Sequence, residues 1–130
     1  MNLEQLVSRA KEAMKSAYAP YSGYCVGAAL LTKGGKIYLG CNIENASFSP
    51  TCCAERTAFF KAVSEGEREF TAIAVAGGKA GKVAGLFPPC GVCRQVMQEF
   101  CAPDFLVCMA KEDGFETVKL QDLLPYGFSL

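Results

Sequence analysis

Three cysteines on two separate segments constrain this fold more than any other feature: Cys53 in Cys53-Ala54-Glu55, and the pair in Pro89-Cys90-Gly91-Val92-Cys93. Cysteines at such spacing read as zinc ligands, and one ion can be held only if the chain brings both segments to one point. Each segment stands at the start of a predicted helix, where free backbone N–H groups and the positive end of the dipole stabilise thiolates. Two helix N-termini must therefore converge on one metal. Three protein ligands leave one tetrahedral position open, whereas a structural site normally closes with four. Glu55 lies in the first turn beside that open position, where a carboxylate can move protons.

Other readings of the cysteines are weaker. A redox dithiol or a zinc knuckle would account for Cys90 and Cys93, yet neither explains Cys53 or Glu55. The sequence contains no histidine to complete a structural site. Cys52 is the nearest residue that could close it, but neighbours on one backbone seldom reach the same ion. Three thiolates outweigh a zinc dication by one negative charge, which makes bound water a weaker acid. Arg56, one helical turn after Cys53, is the expected compensation, its guanidinium donating to the sulfurs.

The 130 residues predict a single catalytic domain, 1–130. No run approaches membrane-spanning length, and the amino terminus has Glu4 instead of a basic region followed by an apolar stretch, so a cytoplasmic protein without membrane contact is expected. The eight cysteines then read as reduced thiols, three on metal and the others packed as small apolar residues. Asn45-Ala46-Ser47 is on that reading an unused glycosylation match. Basic and acidic residues number 13 each with no basic block, which argues against a polynucleotide partner and for a small neutral substrate.

The pattern along the chain predicts an α/β protein. Leu3, Leu6, Val7, Ala10, Met14, Ala17 and Tyr18 recur at helical spacing as a core-facing stripe stopped by Pro20. Residues 26–31 and 37–39 flank Lys33-Gly34-Gly35-Lys36 as a hairpin. A polar loop follows over 42–51, a helix over about 53–63, a buried strand near 71–76, and a glycine-rich loop over 77–89. A third helix is expected over 90–100 and a strand over 105–110, with a further short strand and helix from Thr117 to before Pro125. Helices interleaved with strands imply a three-layer α-β-α sandwich around a mixed sheet. Gly77-Gly78-Lys79-Ala80-Gly81-Lys82 is not a phosphate loop, because the glycines are too close and Val83 replaces the required hydroxyl.

A zinc ligand, one residue, glutamate, and then Pro-Cys-x-x-Cys is the signature of zinc nucleobase deaminases, with Cys53 where many of them have histidine. The chain resembles the small homotetrameric cytidine deaminases of the three-cysteine type over nearly its whole length. The resemblance is carried by Gly40-Cys41-Asn42-Ile43-Glu44-Asn45-Ala46, Cys53-Ala54-Glu55-Arg56-Thr57-Ala58, Pro89-Cys90-Gly91-Val92-Cys93-Arg94-Gln95-Val96-Met97 and Leu123-Leu124-Pro125-Tyr126-Gly127-Phe128. It implies a cytidine deaminase-like fold and one Zn2+ per chain on Cys53, Cys90 and Cys93. The implied activity is pyrimidine salvage: hydrolysis of cytidine and deoxycytidine to uridine and deoxyuridine plus ammonia, by zinc-bound hydroxide attacking C4 while Glu55 shuttles protons. It further implies that Asn42 and Glu44 bind ribose hydroxyls, that Ala54 and the segment at Cys90 contact the base through backbone, and that Tyr24 lines the pocket. Phe128 would cover the substrate ring of a neighbouring subunit, so that the active sites of a homotetramer are shared.

The family usually has phenylalanine in place of Tyr24, tyrosine in place of Phe48 and serine in place of Pro88, and its loop before Pro89 is shorter. Preference among cytidine, deoxycytidine and analogues therefore stays open, and the longer loop reads as tolerated surface. By residue chemistry alone Asn42 and Glu44 are polar turn residues in a loop that follows a strand and precedes the zinc helix. Deamination of another aminopyrimidine, such as blasticidin S, is disfavoured by the Asn42-x-Glu44 segment. A zinc-dependent binding module has no use for Glu55. Polynucleotide editing conflicts with the neutral charge.

Overall fold

The fold is that of a computed structural model describing residues 2–130. Helix α1 (Leu3–Ala13) begins with a capping box: Asn2 Oδ1 accepts from the Gln5 amide at 2.8 Å, and Gln5 Oε1 accepts from the Asn2 amide at 3.2 Å. Leu6, Val7, Ala10 and Ala13 are its buried face. The helix tightens into a 3-10 turn (Met14–Ser16), and the chain is extended at Ala17. Ala17 and Tyr18 thus lie outside the expected stripe, and Tyr18 is 57% exposed. Its backbone has a different use. The Tyr18 amide donates to the Asn42 carbonyl at 2.9 Å and its carbonyl accepts from the Glu44 amide at 2.8 Å, anchoring the 42–44 segment.

The predicted hairpin forms with longer arms, β1 (Tyr24–Thr32) and β2 (Ile37–Cys41), antiparallel from Leu31 opposite Ile37 to Gly27 opposite Cys41. Thr32 Oγ1 accepts from the Lys36 amide at 3.0 Å across the turn, and Gly35 there takes a φ of 94°. Helix α2 (Ala54–Ser64) leads to β3 (Phe70–Lys79), α3 (Gly91–Phe100), β4 (Leu106–Ala110), β5 (Phe115–Lys119) and a last turn of helix, α4 (Leu120–Leu123). The sheet order is β2-β1-β3-β4-β5. Only β3 and β4 are parallel, joined by the crossover through α3, so the sheet is mixed as expected.

Both faces of the central strands are covered, which is why β1, β3 and β4 read as continuous apolar runs. On one face α1 and the 3-10 turn after it pack Leu6, Val7, Ala10 and Met14 against Ala29, Ala72, Ala74 and Cys108. On the other, Ala54, Ala58, Phe59 and Met97 of α2 and α3 meet Ala28, Leu30, Ile73 and Val107. The result is the three-layer α-β-α sandwich. Close approach of the layers depends on two glycines. A Cβ on Gly27 would strike the Ala10 carbonyl oxygen and lie 2.5 Å from the Met14 nitrogen; one on Gly40 would strike the Ala54 carbonyl oxygen and lie 2.5 Å from the Ala58 nitrogen.

The expected loop over 77–89 is corrected at its start. Gly77, Gly78 and Lys79 continue β3 opposite Val26, Cys25 and Tyr24. Their glycines serve close approach, because the following loop folds back over the strand. The Ala84 amide donates to the Gly77 carbonyl at 3.1 Å, and a Cβ on Gly78 would collide with the Lys82 carbonyl oxygen. The loop proper runs from residue 80 to 90.

Candidate metal centre and substrate cleft

The two cysteine segments meet as their spacing requires. Cys53 is the N-cap of α2 and Cys90 the N-cap of α3, where its sulfur accepts from the Cys93 amide at 3.5 Å. The sulfurs of Cys53, Cys90 and Cys93 all lie within 4.8 Å of one another, with Cys53 and Cys90 at 3.7 Å. Tetrahedral zinc with Zn–S bonds of about 2.3 Å demands S···S separations near roughly 3.8 Å, so the three sulfurs fit that ion. Cys52 is outside the cluster. Its sulfur instead accepts from the Thr57 hydroxyl at 3.7 Å, and the site does not close with a fourth thiolate.

The electrostatics favour a cation. The Cys53 thiol is pushed down to about 5, first by the hydrogen bond from the Cys93 thiol and then by Arg56 and Cys90. The same Cys53–Cys93 hydrogen bond, with burial, pushes Cys93 up, so the two sulfurs share one proton that a metal would displace. Thiols away from the cluster behave differently: burial alone pushes Cys101 up to about 12, and burial also raises Cys108. Arg56 holds the expected position, its Nη2 donating to Cys53 Sγ at 3.4 Å. The Arg56 Nε is buried without a hydrogen-bond partner. The Nη2 contact and the nearby Cys53 and Cys93 sulfurs set the guanidinium against sulfur charge, which keeps the arginine protonated.

Glu55 is buried, with only 4% of its surface exposed, and lines a cavity of about 240 Å³ together with Cys53, Ala54 and Cys90. Burial, then the Cys53 charge, lifts its carboxyl to about 7, against the hydrogen bond from its own backbone amide and the pull of Arg56. A carboxyl balanced near neutrality can accept and return a proton at working pH. The cavity volume falls below the roughly 300–1,000 Å³ that accommodates drug-sized ligands, so its occupant is small.

Asn42 and Glu44 line the same cavity. Asn42 is buried and its amide spans β1: Oδ1 accepts from the Val26 amide at 2.9 Å and Nδ2 donates to the Tyr24 carbonyl at 2.8 Å. One amide hydrogen and one lone pair remain for a ligand. Glu44 accepts from the Tyr21 and Ser22 amides at 2.9 and 3.1 Å and from the Ser22 hydroxyl. Those donors, the Ser22 hydroxyl first, hold its carboxyl below the ordinary value, so it presents a fixed negative charge.

Two expected contacts are not part of this cavity within one chain. The Tyr24 ring packs beside Phe87, centroids 6.0 Å apart, and is not among the residues lining the cavity. Phe128 is 64% exposed near the carboxy terminus and also lies outside the lining. Besides Thr51, Cys52 and Pro88, three apolar contributors went unread in the sequence as cleft residues. Val26 and Val75 looked like ordinary buried strand, and Phe87 sits in the loop taken for surface; all three line the cavity. A single large aromatic just before Pro88-Pro89-Cys90 was the available signal for Phe87.

An open three-thiolate cluster beside a buried carboxyl, set where two helix N-termini meet over a mixed sheet, is the arrangement of a zinc hydrolase with a small substrate. The chain belongs to the cytidine deaminase family: residues 1–109 match the family described as the cytidine and deoxycytidylate deaminase zinc-binding region. It is 50% identical over 130 residues to a cytidine deaminase of Sporosarcina psychrophila, covering 99% of this chain and 93% of that protein. The crystal structure of cytidine deaminase from Burkholderia pseudomallei superposes with a TM-score of 0.91 at 46% identity, covering 98% of this chain and all (100%) of that one. That of the Mycobacterium tuberculosis enzyme gives 0.83 at 36% identity, covering 100% and 99%.

Proposed function

We propose that this chain hydrolyses cytidine and deoxycytidine to uridine and deoxyuridine, releasing ammonia, as a single catalytic domain. The observation that carries the reading is the buried Glu55 beside the Cys53, Cys90 and Cys93 cluster, in a cavity that Asn42 and Glu44 also line. Zinc, when bound by those three sulfurs, supplies the Lewis acidity that makes water a nucleophile near neutral pH. Glu55 takes the proton of the attacking water, hands it to the ring nitrogen adjacent to the amino-bearing carbon, and carries the next proton to the departing amine. Its burial beside the cluster suits a group that both takes up and gives back a proton. Arg56 offsets the charge of the sulfurs, Ala54 offers backbone groups to the base, and Asn42 and Glu44 receive sugar hydroxyls.

The fixed charge of Glu44 favours a free nucleoside over a nucleotide, because a phosphate would meet like charge. The family description also covers deoxycytidylate, which makes the comparison of cytidine with its monophosphate informative. Incubating the zinc-loaded protein with cytosine, cytidine, deoxycytidine and cytidine monophosphate, and following loss of the cytosine chromophore by ultraviolet absorbance, tests the reading. Rapid turnover of the two nucleosides alone is expected; equal turnover of the monophosphate would overturn it. In Glu55→Gln the rate should fall by at least ~10²–10⁴ while zinc stays bound.

A shared-site homotetramer follows from the same reading, with Phe128 and the neighbouring Tyr126 as exposed aromatics available to another subunit. We further assign the enzyme to pyrimidine salvage in the cytoplasm, in keeping with eight unpaired cysteines and with the absence, among the described residues, of any helix long and apolar enough to cross a membrane.

A further inference from the structure

Phe87 has a berth made for it. Its ring lies on β3 where Gly77 lacks a side chain: a Cβ there would come within 2.8 Å of the ring's Cγ and 3.0 Å of Cδ1 and Cδ2. The loop that delivers it is fixed on both sides, by the bond from the Ala84 amide to the Gly77 carbonyl and by Pro89, whose side chain is fully buried. The ring also stands against Tyr24. Phe87 is thus held between the backbone of β3 and the cavity, which it lines beside Val26 and Pro88.

We propose that Phe87 is a specificity-determining residue, an aromatic wall that sets how large a substituent the pyrimidine base can carry on its C5–C6 edge. The inference rests on the reading of the cavity as a cytidine site. Given that reading, the orientation of the base follows from its chemistry. The amino-bearing carbon must face the cysteine cluster, the ring nitrogen beside it must face Glu55, and the sugar must extend toward Asn42 and Glu44. Two parts of the base remain: the C2 carbonyl, which needs a hydrogen-bond donor, and the C5–C6 edge, which carries only C–H groups and is matched without stranding a polar atom by the apolar lining residues. Val26 belongs to β1 and packs against the core cluster. Phe87, half-buried and borne on a loop, is the large side chain whose removal opens space there.

The test is substrate discrimination, measured as the ratio of kcat/KM for 5-methyl-, 5-bromo- and 5-iodocytidine to that for cytidine. A ratio within one preparation does not depend on how much of the protein is folded. In the wild type the ratio should fall as the substituent grows. In Phe87→Ala, and less so in Phe87→Leu, the series should flatten, the 5-iodo ratio rising by roughly 10-fold or more, the scale on which apolar pockets discriminate by size. Gly77→Ala should do the opposite, since the added methyl presses the ring toward the cavity and steepens the series. The opposite signs separate a wall from a residue that merely stabilises the loop. Unchanged ratios in Phe87→Ala and Phe87→Leu, with wild-type protein active on cytidine, would overturn the proposal and leave the cytidine reading intact. Wild-type protein inactive on cytidine would overturn both.

Discussion

Gly40→Ala should separate the placement of the zinc centre from the stability of the sheet. The cluster depends on α2 lying close enough to β2 for Cys53 and Glu55 to reach the loop before α3. A methyl on Gly40 would collide with the Ala54 carbonyl oxygen and stand 2.5 Å from the Ala58 nitrogen and 3.0 Å from Ala58 Cβ. These are mainly backbone atoms, which cannot rotate away, so the helix itself must lift at its first turn. Overpacking of this kind costs about 3 kcal/mol. For a domain of this size each kcal/mol lowers Tm by roughly 3–4 °C, so a fall of about 10 °C is expected. Gly27→Ala is the matched control, with an equivalent collision against the Ala10 carbonyl oxygen and the Met14 nitrogen on the opposite face. Helix α1 carries no cluster ligand. Calorimetry should show comparable losses in Tm for both variants, while zinc retention under chelator competition and kcat per folded chain should drop only in Gly40→Ala. Wild-type zinc retention and turnover in Gly40→Ala would refute the idea that this helix contact positions the centre. An unshifted Tm would refute the packing argument beneath it.

Alanine at Cys53, Cys90 or Cys93 should sharply reduce zinc content by metal analysis, whereas alanine at Cys52, Cys101 or Cys108 should leave one zinc per chain. Glu55 makes metal-free protein pH-sensitive: its carboxyl is raised from 4.5 to about 7, so the penalty of ionising it is absent below pH 4.5, grows as pH rises, and is complete above about 7. Relative to Glu55→Gln, the metal-free wild type should therefore lose on the order of 3 kcal/mol across that interval, measured by denaturant unfolding; a pH-independent difference would contradict the assignment. Truncation before Tyr126 should raise KM far more than it lowers Tm. In hybrids of Glu55→Gln and Phe128→Ala chains, activity should reappear because an intact Phe128 completes another chain's intact cluster.

What the sequence made legible, and what it hid, follows from how narrowly each role restricts residue type. Holding zinc with an open position requires thiolates at particular helix positions, and the proton work requires a carboxylate beside them, so Cys53, Cys90, Cys93, Glu55 and Arg56 stood out before any coordinates. The alternation of apolar helices and strands likewise carried the three layers. Close approach is different. Gly77 and Gly78 resemble loop residues by propensity, because glycine is depleted in strands, yet both sit in β3 since a folded-back loop leaves no room for a side chain. Tyr18 fits a helical period, but the chain is already extended at Ala17 and Tyr18 instead pairs with the 42–44 segment, which is distant in sequence.

The same distinction explains why one residue can serve both fold and site without announcing either. Asn42 holds β1 through the Val26 amide and the Tyr24 carbonyl, and the same residue lines the cavity. Removing its amide would free two backbone groups of β1 as well as a ligand contact. A loss of activity in Asn42→Ala therefore carries no information about sugar binding unless Tm is measured alongside it. Glu44 is the cleaner probe. Its partners are amides and a hydroxyl of the exposed 21–22 turn, so Glu44→Gln perturbs the cleft charge with little consequence for the sheet.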